Sequence, residues 1–353
     1  KSGIAQQHVE QVNAMTAVID PQMSKALRRA AVAATRSPSV HNTQPWHFTL
    51  TGNSLNVEAD LTRRLRVLDP RGRQLTLSCG CAVFNARVAL AAAGFGSTVQ
   101  RFPDPHDPSL LARVAVDESA EPDAALAALA SSIELRQTNR RAFADNEVPA
   151  AVLERLIDAA RIEGGILKQI VRPQDRHALA RLSQLADRQQ ISDPAYRAEL
   201  RAWTSADPSR QDGFHAGTVP HVDAGAEDEL PIRDFDTHGA GALPIRTRSK
   251  ANQCLLLLGA REDDAESWLR AGEALERVWL ELTRHGYAAS PFTQVIEVPQ
   301  TNALLRSEMR LRMHPHLVLR IGRAPRTPES RRRRLVDVLS ERSLLADFAS
   351  DVL

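Results

Sequence analysis

Two polar runs carry the residue types best suited to chemistry. The first is Arg36-Ser37-Pro38-Ser39-Val40-His41-Asn42-Thr43-Gln44-Pro45-Trp46-His47-Phe48. Its hydroxyl and amide side chains, crowded into a turn-prone stretch, could hydrogen-bond the polar edge of a ring; the same composition also suits an Asx- and Ser-rich connector. The second is Arg136-Gln137-Thr138-Asn139-Arg140-Arg141-Ala142-Phe143. A third basic cluster, Arg331 to Arg334, reads in isolation as a solvated charge run. Metal chemistry is poorly served. Cys79-Gly80-Cys81 has no second cysteine pair nearby, and His215, His221, His238, His314 and His316 lack the i, i+4 spacing of a helical metal site. The three cysteines are too few for a disulfide framework and are expected to be structural thiols.

These runs must be held by the elements around them. Ser24 to Thr35 reads as a helix with Ser24 as its N-cap, stopped by Pro38, so the first polar run is a loop. After it, Trp46 to Val57 reads as a hairpin turning at Thr51-Gly52-Asn53, with Trp46 and Phe48 facing the core. Asp69 to Arg73 is a turn, Gln74 to Ala93 a long helix ended by Gly94, and Thr98 to Phe102 and Ala112 to Val116 are strands. Residues 120–135 look helical, as do Pro149 to Ala160 and Asp175 to Gln190, with a short strand at Ile166 to Val171. From Thr204 to Pro244 periodicity vanishes and Gly, Pro, Asp and His dominate, which is the composition of a functional lid or a disordered insert. A strand at Cys254 to Gly259, a helix at Ser267 to Arg284 and a strand at Leu317 to Ile321 follow.

With 353 residues the chain has ample material for a core, and its net charge of +2 makes no electrostatic case for nucleic acid. Its basic residues are almost all arginine, the only lysines being Lys1, Lys25, Lys168 and Lys250. No apolar run reads as long enough to span a bilayer and residues 1–20 lack a secretory pattern, so a cytoplasmic protein is expected. An internal repeat is also visible. Gly80, Ala82, Gly94 and Phe95 recur as Gly272, Ala274, Gly286 and Tyr287, each displaced by 192 residues.

Pro38-Ser39-x-x-Asn42-x-Gln44-Pro45-Trp46-His47-Phe48, Arg136-x-Thr138-x-Arg140-x-x-Phe143 and the Ile321-Gly322-Arg323 strand end together resemble the FMN-dependent nitroreductase superfamily. The Asp69-x-x-Gly72-Arg73 turn, Ser78-Cys79-Gly80 and Trp203-Thr204 are similar to its actinobacterial Acg-like branch. The resemblance implies an α+β fold with mixed sheets flanked by helices. It also implies FMN as cofactor, and NAD(P)H with a nitro- or quinone-type acceptor as substrates.

In the ordinary family two identical subunits build two FMN sites. Here the motifs are split between the halves, so one chain is expected to imitate the dimer, remain monomeric and hold one FMN. The division is residues 1–20 as an extension, 21–125 and 126–353 as the two halves, and 204–244 as a lid-like insert. By the resemblance, Arg136, Thr138 and Arg140 grip the phosphate, since guanidinium groups bind phosphate through paired charge-assisted hydrogen bonds. Arg331 or Arg332 adds a last phosphate contact. Ser37, Pro38, Ser39, His41 and Asn42 belong to the loop that meets the flavin ring, Ser39 and Asn42 at its pyrimidine edge. Pro291, Phe292, Thr293 and Gln294 run along the ring, with the Thr293 N–H facing flavin N5, and hydride chemistry stays with the cofactor. If the insert covers the ring, the alternative is an FMN-sequestering protein with little reductase activity.

Overall fold

The computed structural model describes residues 20–140, 143–144, 147–205, 207, 209–215, 233 and 253–342. The extension and most of the 204–244 insert therefore lie outside the described residues. Helix α1, Pro21–Thr35, starts earlier than the sequence reading had it: Asp20 is the N-cap, its carboxylate accepting from Gln22 N–H at 2.9 Å, and Pro21 supplies a first-turn φ. Strands β1 (Trp46–Thr51) and β2 (Ser54–Ala59) form the expected hairpin, with Phe48 opposite Val57 and Leu50 opposite Leu55. Trp46 and Phe48 are fully buried in the core.

Helix α2, Arg73–Ala92, follows Gly72, whose φ of 74° suits glycine at this tight entry. It is long and apolar enough to cross a bilayer by length and composition, contrary to the sequence reading, yet it is mostly buried inside the protein. Strands β3 (Gly96–Arg101) and β4 (Leu110–Asp117) follow. The helix expected over 120–135 is broken into α3 (Ala124–Ala127) and α4 (Ala130–Leu135), a break at which Leu129 is fully buried.

The chain continues through α5 (Ala150–Ile162), β5 (Ile166–Gln169), α6 (Pro173–Ser192) and α7 (Pro194–Ala202). The sequence reading missed α7, which Asp193 caps and whose Tyr196 and Leu200 pack with Leu65, Leu68 and Phe214. Two-residue strands β6 (Thr204–Ser205) and β7 (Phe214–His215) pair in parallel where the insert begins. Then come β8 (Cys254–Ala260), α8 (Ala265–Arg284), β9 (Ala288–Phe292), α9 (Gln294–Glu297), α10 (Pro299–Glu308), β10 (His314–Gly322) and β11 (Leu339–Arg342).

One sheet has the order β11-β1-β2-β4-β3, with β11 parallel to β1; the other is antiparallel, in the order β5-β8-β10-β9. The chain is thus α+β, with β11, the last strand among the described residues, returning to the first sheet rather than staying with the second.

Helices α2 and α8 cross backbone to backbone. A Cβ on Gly80 would lie 2.1 Å from the Leu269 carbonyl oxygen, and one on Gly272 would lie 2.0 Å from that of Leu77. The crossing is reciprocal, since Leu269 packs in the first core and Leu77 in the second. Only glycine permits such an approach. Cys79 and Cys81 are buried thiols, the second donating to the Gly272 carbonyl at 3.2 Å. We expect Gly80→Ala and Gly272→Ala each to cost ~2–3 kcal/mol in urea unfolding, although alanine gains about 1 kcal/mol of helix propensity. Unchanged stability in either variant would mean that the crossing tolerates a methyl group.

Candidate functional site

Loop 36–44 owes its shape to side-chain bonds more than to periodicity. His41, Asn42 and Gln44 have φ values of 49°, 52° and 49°, in the left-handed region that non-glycine residues seldom occupy. Several bonds hold them there. Ser78 Oγ accepts from Val40 N–H at 3.2 Å, Ser39 Oγ accepts from Gln44 N–H at 2.9 Å, and Asn42 Nδ2 donates to the Gly213 and Arg331 carbonyls, both at 3.1 Å. Gln44 reaches the Gln211 carbonyl at 2.9 Å and accepts from Arg333 N–H at 2.7 Å. Asn42, expected at a ring edge, is therefore engaged in tying the loop to the insert and the tail. Ser37 lies deeper still, fully buried and accepting from Asn85 Nδ2 at 2.8 Å.

Two adjoining cavities open beside this loop. The first holds about 810 Å³ of empty space, part of it open to solvent, between loop residues Pro38 to His41 and strand-end residues Ser290 to Gln294. Its floor comes from the crossing helices: Gln74, Leu77, Ser78 and Cys81 of α2, and Leu275 and Trp279 of α8. The second holds about 680 Å³ and is lined by Arg36, Asn42, Arg136 and Arg332, among others. Pro38, Ser39, Thr138, Arg140 and Phe214 border both, so an apolar slot continues into a cationic pocket.

Every residue proposed from the sequence for this site lines one of the cavities except Ser37 and Arg331. The side chain of Arg331 turns to the Arg210 carbonyl at 3.5 Å, and Arg332 enters the pocket, donating to Asn42 Oδ1 at 2.9 Å and to the Arg36 carbonyl at 3.3 Å. The Arg331–Arg334 run is therefore not simply a solvated charge run. The sequence reading missed Gln74, Arg36, Trp279 and Arg233. Gln74 is a polar residue in the first turn of an otherwise apolar helix, a signal that was present in the sequence.

The pocket is crowded with positive charge. Arg136 is buried, stacks its guanidinium over Trp279 at 4.9 Å, donates to the Arg36 carbonyl at 3.0 Å and pairs with Glu276 at 3.3 Å. Desolvation, then the neighbouring Arg136 and Arg36, push Arg332 down to about 9. Burial, then Arg233, lowers Arg140 to about 10. Glu276 is completely buried, and desolvation raises it to about 7 against the pull of Arg136. Among the described residues, the acids lining the pocket itself are Glu134 and Glu329, both exposed. Such an unbalanced cluster stabilises an anion of more than one charge.

A contrasting arrangement lies 192 positions away. Cys81, Trp279 and Thr293 line the slot, whereas the positions related to them by that displacement are Glu273, Arg87 and Arg101. Fully buried Glu273 binds Arg87 at 2.8 Å and Arg101 at 2.7 and 3.0 Å, while Glu163 binds Arg87 and Arg277 at 2.6 and 2.7 Å. An ion network occupies this place.

The profile of the Nitroreductase family matches residues 133–323. Among individual relatives, Rv3131 of Mycobacterium tuberculosis, whose name assigns it provisionally to the NAD(P)H nitroreductases, is 35% identical over 303 residues, covering 86% of each chain. The acg product of the same organism, provisionally named likewise, is 29% identical over 311 residues, 86% of this chain and 90% of its own. Among solved structures, a nitroreductase with bound FMN from Bacteroides fragilis aligns over 58% of this chain and 93% of its own, at 12% identity and a TM-score of 0.35. The FMN and NADPH-dependent nitroreductase NfnB from sphigopyxis sp. strain HMH aligns over 60% and 97%, at 19% identity and a TM-score of 0.36.

The raised Glu276 carboxyl fixes a sign for pH dependence. Its folded value of about 7 lies above its ordinary 4.5, so its stabilising contribution is complete at low pH and is lost as pH rises through 7. With the protein freed of small ligands, the melting temperature of Glu276→Gln relative to wild type should therefore be higher at about pH 8 than at about pH 5. A difference that does not change with pH would show that Glu276 is ionised throughout.

Proposed function

This chain belongs to the nitroreductase family, and on that premise we propose that it is an FMN-binding flavoprotein passing reducing equivalents from NAD(P)H to a nitro- or quinone-type acceptor. The observation that carries this reading is the continuity of an apolar slot with an arginine-crowded pocket, a shape and charge suited to a planar ring bearing a phosphate. Arg332, Arg136, Arg140 and Thr138 would take the phosphate. The slot between Pro38–His41 and Pro291–Gln294 would take the ring, with Leu77, Leu275 and Trp279 keeping water from one side. Flavin, when bound, supplies reversible two-electron chemistry; the protein's part is to orient the ring and set its polarity.

One FMN per chain follows from the same reading. The reciprocal Gly80–Gly272 crossing and the shared 192-residue displacement support two related halves acting as a dimer in one monomeric chain, divided as 21–125 and 126–353. Under that relation, the Glu273–Arg87–Arg101 network fills the counterpart of the slot and leaves no room for a second ring.

A second reading, FMN sequestration, is favoured by Arg233. This residue of the insert is only 8% exposed, lines the slot, and binds Glu297 at 2.7 Å, Thr293 Oγ1 at 3.3 Å and the Tyr196 hydroxyl. It would stand where a nicotinamide must approach. Anaerobic spectra with NADPH and then NADH separate the readings: rapid bleaching supports the reductase. A spectrum bleached only by dithionite, with nicotinamide reduction appearing in Arg233→Ala, supports the cover.

Arg332→Ala and Arg136→Ala should each weaken FMN binding by ~1.5–3 kcal/mol, because a charge-assisted contact is lost. Retention of yellow colour equal to wild type through gel filtration would remove that arginine from the site. A ratio near one FMN per chain is expected, and a ratio near two would refute the filled counterpart.

A further inference from the structure

Gln74 is out of keeping with its surroundings. It lies in the first turn of α2, is only 4% exposed, and lines the apolar slot on the same helix face as Leu77, Ser78 and Cys81. Its carboxamide nitrogen Nε2 is buried without a hydrogen-bond partner among the described residues. A buried N–H left unpaired costs about 1–3 kcal/mol, so an unpaired donor on a residue that lines a cavity marks a place for an acceptor.

The fold fixes which side of the slot Gln74 occupies. Its neighbour Arg73 donates from Nη2 to the Ile296 carbonyl at 3.0 Å, which holds the first turn of α2 against the turn that follows β9. Asp69 caps the same helix end, its carboxylate accepting from Leu75 N–H at 2.9 Å, so the turn cannot swing away. Gln74 therefore stands on the Thr293–Gln294 side of the slot, away from the arginine pocket, which it does not line. The carboxamide of Gln294, which also lines the slot, is already engaged with Asp187 at 2.5 Å. Ser78 Oγ is committed as well, donating to the Gln74 carbonyl at 2.6 Å and accepting from Val40 N–H.

We propose that Gln74 is a positioning and redox-tuning residue, its Nε2 donating to a carbonyl oxygen on the hetero-ring of the bound flavin. This rests on the FMN reading given above. Carbonyl oxygens of that ring gain electron density on two-electron reduction, so a neutral donor there binds the reduced form more tightly than the oxidised one. Gln74 would thereby raise the reduction potential without touching the phosphate.

The test compares FMN-loaded wild type with Gln74→Leu and Gln74→Met, after checking that their far-ultraviolet circular dichroism matches. We expect both variants to keep one FMN per chain, held by the arginine pocket. We also expect a shift of the flavin absorption bands and about a tenfold loss in the preference for reduced over oxidised flavin, which for a two-electron couple is a fall of about 30 mV. Gln74→Glu, which puts an acceptor where the donor stood, should lower the potential at least as far. Wild-type spectra and potential in the Leu and Met variants would overturn the role of Gln74 while leaving FMN binding intact. If wild type itself takes up no FMN, the flavin reading falls and this proposal with it. If only one of the two variants folds, that one decides.

Discussion

The contact on which the rest of the structure depends is the crossing of α2 and α8 at Gly80 and Gly272, where each glycine faces a backbone carbonyl of the other helix. Side chains cannot mediate so close an approach, so the two helices act as a single rigid layer between the sheets. The slot is a by-product of that layer. Leu77 and Cys81 on α2, and Leu275 on α8, lie within about one turn of the glycines, and Trp279 within two. The depth of the floor is therefore set by backbone contact, while its polarity is set by whichever residues fall one turn away. The same layer accommodates a hydrocarbon floor on one side and a salt-bridged cluster on the other because only those outer positions differ.

Charge is arranged on a similar principle of local imbalance. Where an ion network fills the interior, as around Glu273 and Glu163, every buried carboxylate has at least two guanidinium contacts. In the cationic pocket the proportions are reversed: Arg136 and Arg36 crowd Arg332, and among the described residues the buried acid beside Arg136 and Arg332 is Glu276. Burying charge is costly, and the protein meets that cost with backbone carbonyls and the Trp279 face as well as with Glu276. What is left over is available to a ligand.

Much of this was legible in the sequence, and the failures have physical causes. The hairpin, the two long helices and strands β3, β4, β5, β8 and β10 follow from periodicity and glycine stops, whereas strands β9 and β11 were passed over and the cavity residues that were named came from the family resemblance. The start of α1 was misplaced because Ser24 looked like a cap, when the Asp20-Pro21 pair one turn earlier does the capping. Helix α7 was passed over because it is short and sits at the edge of the aperiodic segment. The roles of Asn42 and of the arginine tail could not be read at all. Amides and guanidinium groups bind backbone carbonyls as readily as ligands, and the partners of Asn42, at Gly213 and Arg331, are remote in sequence. A run of arginines does not reveal which member turns inward.

The tail strand β11 has a consequence for the life history of the molecule. It pairs with β1, and the residues just before it, Arg332 and Arg333, bond to Asn42 and Gln44. The cationic pocket is thus closed by groups 290 positions apart in the chain, and so made far apart in time. While the chain is emerging from the ribosome, strands β1 to β4 can collapse around α2, yet the hairpin edge stays open and loop 36–44 lacks the contacts that hold its left-handed residues. Only when the tail arrives is that edge covered. Any loss of the tail, by a premature stop or by proteolysis, would leave a chain with an exposed β edge and an unsupported loop. Its fate would be aggregation or degradation rather than survival as a soluble protein lacking only its ligand.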